Sequence, residues 1–196
     1  MPQLPTPGPY PLALVPALET TDLLLRDHRP TDLADYAAIG VEPAFYRFLG
    51  GKPQSEEEVW RRILGQQGHW AIMGYGYWAV EEKATGRFIG AVGFANYHRD
   101  MMPSLGDAPE VGWVLAPRVH GLGYASQAVQ AVLAWGDAHF TQDRTVCIID
   151  PDNTASLRVA AKFGYHEYAR TTYQEKLIVL LERPSPTSTA AGALST

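Results

Sequence analysis

The run EVGWVLAPRVHGLGYASQAV, Glu110 to Val129, constrains the fold more than any other stretch of the chain. An apolar segment is followed by small residues at alternating places, Gly121, Gly123 and Ala125, and a helical pattern begins at once. Glycine allows both left-handed dihedrals and close approach of backbone to a ligand. A helix that starts there offers unpaired amides and the positive end of its dipole, and both favour an anion. A strand, a glycine loop and a helix in direct succession therefore read as a phosphate cradle on a sheet covered by helices.

The remaining segments supply that sheet. LETTDLLLRDH reads as a first strand, and RPTDLADYAAIG as a short helix entered through Thr31 with Asp32 in its first turn. Ser55 and Glu58 stand at capping-box spacing ahead of a second helix, SEEEVWRRIL. YWAVEE and RFIGAVGFANY, separated by KATG, give a hairpin, and PEVGWVLA follows across a loop. Ala125, Ala128, Val129, Val132 and Leu133 recur at helical spacing, which gives the next helix one apolar face. RTVCII is a short buried strand. NTASLRVAAKFG is a helix capped by Asn153 and ended by Gly164, and YHEYARTTY with EKLIVLLER is a final strand pair. The expected fold is α/β (α+β), a single domain whose mixed, mostly antiparallel sheet has about seven strands with about four helices.

Composition narrows the partners. The chain has 196 residues, 46% of them apolar, which suits one domain with a sizeable core. Its net charge of −5 argues against nucleic acid and suits a cationic substrate. Cys147 is the only cysteine, so no disulfide framework forms and a reducing compartment is expected. No run approaches the about 18 apolar residues of a membrane span, and the N-terminal segment lacks a basic start, so a cytoplasmic protein is expected. Residues 1–17 are proline-rich and read as an extended arm, residues 18–183 as the domain, and residues 184–196 as a disordered tail. A homodimer is left open.

Two rival readings of the glycine stretch fail on context. A dinucleotide fingerprint needs an early parallel strand–turn–helix unit with an acid about 20 residues on, whereas GLGYAS sits late, after antiparallel strands. A Walker loop needs a lysine before Ser or Thr, and none stands here. A plain glycine-rich turn remains the alternative while the stretch stands alone. It does not stand alone. LETTDLLLRDHRPTD, FIGAVGF, EVGWVLAPRVHGLGYASQAV and NTASLRVAAKFGY together, in this order and spacing, resemble the GNAT superfamily of acetyl-CoA-dependent N-acetyltransferases. The resemblance is to its ribosomal-protein-alanine acetyltransferase branch, over roughly Leu18 to Arg183.

That resemblance implies a GNAT-like sheet splayed between its fourth and fifth strands, with acetyl-CoA as co-substrate and no metal. The pyrophosphate is expected on the amides of His120, Gly121, Leu122, Gly123, Tyr124 and Ala125, and a glycine loop at a helix start supplies such donors without lysine. The pantetheine arm is expected along Trp113, Val114 and Leu115, one of whose amides would stabilise the oxyanion, with Pro117 ending the pairing. Glu110 resembles the glutamate that deprotonates the amine through water. Asn153 and Ser156 match an N-x-x-S pattern whose serine stabilises the leaving thiolate; read alone, they are a helix cap and a first-turn residue. Two positions depart from the family: His120 replaces Arg or Gln, and Ala160 replaces a frequent tyrosine acid. Cys147 alternates with Val146 and Ile148 in a buried strand, which argues against an acetyl-cysteine intermediate.

The implied reaction is direct attack by a primary amine, a protein N-terminal α-amine or a small molecule, in a ternary complex. The alternative is a catalytically weak acyl-CoA-binding module. The acceptor pocket is expected among the first two helices, GQQGHWAIMGYGYW and the last hairpin. Phe45, Tyr46, Trp70, Tyr75, Tyr77, Trp78, Tyr97 and His98 are its candidate lining.

Overall fold

The computed structural model describes residues 15–186. Most of the expected arm, residues 1–14, and most of the expected tail, residues 187–196, lie outside the described residues. The strands are β1 (Leu18–Glu19), β2 (Leu23–Arg26), β3 (Tyr77–Glu82), β4 (Arg87–Ala95), β5 (Glu110–Leu115), β6 (Arg144–Ile149), β7 (His166–Tyr173) and β8 (Lys176–Pro184). The α-helices are α1 (Leu33–Gly40), α2 (Pro43–Tyr46), α3 (Glu56–Met73), α4 (Tyr124–His139) and α5 (Thr154–Lys162). The strands form one sheet in the order β1-β2-β3-β4-β5-β6-β8-β7. Every neighbouring pair is antiparallel except β5 and β6.

The eighth strand comes from the first expected one. Thr20 donates its amide to the Leu23 carbonyl at 2.9 Å, and its hydroxyl accepts from the Leu23 amide at 3.0 Å. These bonds close a turn, so LETTDLLLR folds back on itself with Leu18 opposite Leu25. Among the described residues the helices number five rather than about four, because Pro43 starts a one-turn helix, α2, after α1. Thr31 is not the helix entry but lies within a 3-10 turn, Pro30–Asp32, ahead of α1; the Asp32 carboxylate accepts from the Arg29 amide at 2.8 Å and from the buried Arg26 guanidinium at 2.7 and 2.9 Å. β8 runs through Pro184, which pairs with Arg144, so the last strand reaches one residue past the expected domain boundary.

Local capping follows the sequence. Ser55 and Glu58 form the reciprocal box at the start of α3, and Gly74, left-handed, ends that helix. Asn153 accepts from the Ser156 amide at 3.2 Å and caps α5. On α4, Ala128, Val129, Val132 and Leu133 are buried as their spacing requires. Gly136 lets that helix sit close on the sheet, since a Cβ there would meet the Phe94 ring at 2.8 Å. The main core joins α1, α3, α4 and α5 to the sheet; the consecutive residues Trp78, Ala79 and Val80 are all buried in it, so both faces are covered, and a smaller cluster of Met101, Ile178 and Leu180 ties the 96–109 loop to β8. Among the described residues, no helix is long and apolar enough to cross a membrane.

Candidate active site

The site begins where the sheet comes apart. β5 pairs with β4 along its whole length, Glu110 to Leu115 against Ala95 to Gly90. It pairs with β6 only at Glu110, opposite Val146, whose amide donates to the Pro109 carbonyl at 3.0 Å. Beyond that point the two strands splay. Because β5 and β6 are parallel, the starts of α4 and α5, which follow them, both lie toward the open end of the gap. Ligands of α/β sheets bind in such a crevice, outside the carboxyl ends of parallel strands.

Strand alternation decides which backbone groups face the gap. In an antiparallel pair, successive residues direct their amide and carbonyl to opposite sides. Ala116 donates to the Ile89 carbonyl at 2.7 Å, and a Cβ added at Gly90 would lie 2.2 Å from the Val114 carbonyl oxygen. Val114 and Ala116 therefore face β4, while Trp113 and Leu115 face the opening. The expectation that Val114 lends its backbone to the cofactor arm is corrected on this point, and the available edge is Trp113 and Leu115.

The cradle also differs in detail. Gly121 and Gly123 have φ of 83° and 80°, the left-handed region that L side chains avoid, and a Cβ at either would meet nothing within 4 Å. They are glycines for their dihedrals and an open surface, not for internal packing. Gly123 stands at the N-cap of α4 without a side chain to cap it. The amides of Gly121, Gly123, Tyr124 and Ala125 thus have no acceptor among the described residues. His120 is different: its amide donates to the Pro117 carbonyl at 3.0 Å, and its ring Nε2 lies 3.1 Å from the Leu115 carbonyl. Leu122 makes a long bond, 3.5 Å, to the Val119 carbonyl. The 3-10 turn Pro117–Val119 draws both residues out of the expected set of amide donors. Arg118, the nearest long cationic side chain, donates to the Phe88 carbonyl at 3.2 Å.

At the joined end of the gap stands Glu110, which is 5% exposed. It does not stand free. Arg99 binds it through two hydrogen bonds, Nε to Oε2 at 2.6 Å and Nη2 to Oε1 at 2.7 Å. Burial works against the Arg99 charge, but the Glu110 bonds outweigh it and hold the guanidinium pKa above its ordinary value. A cavity of about 170 Å³ adjoins the pair and is lined by Asn96, Tyr97, His98, Ser104 and Glu110 among others. Tyr77 reaches the same place from β3: a Cβ at Gly112 would lie 2.0 Å from its hydroxyl oxygen. Burial, then Tyr97 and Glu110, push the Tyr77 phenol well above its ordinary range, so it keeps its proton.

Of the expected aromatic lining, Tyr97 and His98 are at the cavity, whereas Phe45, Trp70 and Trp78 belong to the core. Ser156 is half-buried in the first turn of α5. Ala160 is fully buried in the main core. Cys147 is buried, which pushes its thiol up and keeps it protonated and inert. Tyr165 shares a buried 2.5 Å hydrogen bond with Thr145 and is structural. Sequence reasoning missed Arg99. The only signal was the length of the 96–109 connection, since long loops in a compact domain tend to be functional.

Residues 22–166 match the acetyltransferase (GNAT) domain family. The Bacillus subtilis (strain 168) protein YkkB is 33% identical over 142 residues, 72% of this chain and 77% of that protein. The solved structure of a GNAT-family acetyltransferase from Bordetella pertussis superposes with a TM-score of 0.76 at 27% identity, covering 86% of this chain and 99% of that one. RimL, a ribosomal L7/L12 α-N-protein acetyltransferase solved with coenzyme A, superposes with a TM-score of 0.70 at 18% identity, covering 86% of this chain and 98% of that one.

Proposed function

The chain belongs to the GNAT acetyltransferase family, and we propose that it moves the acetyl group of acetyl-CoA to a primary amine by direct attack within a ternary complex. The domain responsible spans residues 18–183 in this reading. One observation above all supports it. A strand edge without a strand partner at Trp113 and Leu115 leads to a helix start whose amides at Gly121, Gly123, Tyr124 and Ala125 have no acceptor among the described residues. The first suits an extended, amide-bearing arm and the second a pyrophosphate, so the two fit coenzyme A in one continuous groove.

The remaining roles follow from position. The Trp113 or Leu115 amide is aimed into the gap, where it can stabilise charge developing on the thioester oxygen. Glu110 lies at the joined end, and as a carboxylate it can take a proton from the incoming ammonium through water. Ser156, at the start of α5, can hydrogen-bond the departing sulfur, and the α5 dipole adds to that stabilisation. The acceptor is a small-molecule amine or a protein N-terminus.

Thiol release from acetyl-CoA across a panel of amines tests the reading. Amine-dependent release supports transfer. Coenzyme A binding without release for any amine would leave an acyl-CoA-binding module, a reading favoured by the Arg99 block on Glu110 and by alanine at position 160.

A further inference from the structure

Arg99, whose side chain is half-buried, differs from the buried Arg26. Arg26 sits on strand β2 and is held by Asp32, Glu81 and the Asp27 carbonyl at once. Arg99 sits on the irregular 96–109 loop, next to His98, whose φ of 45° is strained for a residue with a side chain. Among the described residues its ion pair is with Glu110 alone; Tyr173 adds a side-chain hydrogen bond, and the guanidinium carbon lies 4.7 Å from the Tyr97 ring centroid and 5.1 Å from that of Tyr173. A carboxylate flanked by two aromatic faces is a receptor for a cation, whichever cation fills it.

We propose that the Arg99 guanidinium is an internal occupant of the acceptor seat, an autoinhibitory contact that the substrate displaces, and that the acceptor is therefore an alkylammonium ion without a carboxylate beside the amine. The proposal rests on the reading of Glu110 as the proton acceptor. Charge decides the class. A carboxylate carried beside the amine would bring a second negative charge against the buried Glu110, and an acceptor without a cationic group would leave Glu110 unpaired; both are strongly unfavourable. An ammonium ion takes the place of the guanidinium, so the carboxylate stays paired and the tyrosine faces stay on a cation. The adjoining cavity of about 170 Å³ gives it a route to the carboxylate. Arg99 cannot be deprotonated, so while it stays Glu110 has no proton to collect. Once the ammonium is seated, one N–H proton passes to Glu110 and the freed lone pair forms the new bond to the thioester carbon; the carbon–sulfur bond then breaks with its electron pair on sulfur, and the coenzyme A thiolate takes the second nitrogen proton, leaving the neutral amide.

The test compares the parent with Arg99→Gln and Arg99→Lys, using n-butylamine and the amino acid norleucine as acceptors. If the resting pair is formed more than about nine-tenths of the time, removing it lowers the apparent dissociation constant about tenfold or more. Arg99→Gln should lower KM for n-butylamine by that factor with kcat little changed, Arg99→Lys should fall between, and norleucine should remain poor. Guanidinium chloride at millimolar concentration should compete with n-butylamine in Arg99→Gln and not in the parent, whose own guanidinium is tethered at the seat. A rise in KM, or a fall in kcat at constant KM, would make Arg99 a support for Glu110 and overturn the proposal. Calorimetric titration of n-butylammonium into each protein with coenzyme A gives the same answer without turnover. A chain that binds the amine more tightly in Arg99→Gln but never transfers acetyl would sink the catalytic reading of Glu110 and keep the seat.

Discussion

Replacing Gly123 by valine separates the cradle from the fold. A non-glycine residue held at φ of 80° costs about 1–2 kcal/mol, with a further small restriction from β-branching. No clash adds to this, since a Cβ at Gly123 meets nothing within 4 Å. For a domain of this size that loss lowers Tm by about 2–8 °C, and the chain stays folded at room temperature. The effect on coenzyme A is larger. Each hydrogen bond from an amide to a charged oxygen is worth about 1.5–3 kcal/mol, so displacing the pyrophosphate from two amides weakens binding by at least about a hundredfold. Gly164 provides the control. It has φ of 83°, nothing within 4 Å of an added Cβ, and a position at the far end of α5. Gly164→Val should therefore melt at a similarly lowered temperature yet bind coenzyme A like the parent. The measurements are calorimetric melting and titration with coenzyme A. A folded Gly123→Val protein with parental affinity would refute the assignment of the pyrophosphate to this loop.

Three further outcomes are expected. Glu110→Gln should reduce turnover about 100-fold to 10,000-fold at neutral pH with acetyl-CoA affinity nearly unchanged, and higher pH should restore part of it by supplying free amine; an unaltered rate removes Glu110 from the chemistry. Ser156→Ala should slow single-turnover acetyl transfer without changing acetyl-CoA affinity, because its bond to sulfur strengthens only as charge develops there. Equal rates at matched melting temperatures would assign this serine to the helix alone. His28 is 4% exposed with neither ring nitrogen hydrogen-bonded among the described residues, and burial pushes its pKa from the ordinary 6.5 down to about 4. Its neutral form belongs to the folded state, so the stability it contributes is full above pH 6.5 and is lost as pH falls toward 4, up to about 3 kcal/mol. His28→Phe, set between Tyr36 and Phe88, should flatten that part of the stability profile, and an unchanged acid limb would mean other groups set it.

What the sequence made legible was local. The Ser55 box, the Asn153 cap and the left-handed glycines at 121 and 123 each depend on a few adjacent residues, and each stands where the pattern put it. The turn at Thr20 was hidden because its residues also suit a strand, and only the Leu18–Leu25 pairing exposes the reversal. The roles of Val114 and His120 were hidden for a different reason. Both depend on register, which no single segment contains: β4 takes the Val114 backbone, and the 3-10 turn after Ala116 takes the His120 amide. Arg99 needs the most distant information, because its seat joins β5 to Tyr173 at the tip of the last hairpin.

These long-range facts share one origin. β6 is pinned to β5 only at Glu110, so the carboxylate that closes the gap marks its inner limit, and the alternation from that point determines which amides remain unpaired. Shifting β5 by one residue against β4 would turn Val114 into the gap and Trp113 out of it, and would carry Glu110 away from Arg99 at the same time. The Glu110 carboxylate and the open backbone edge are therefore set by a single register.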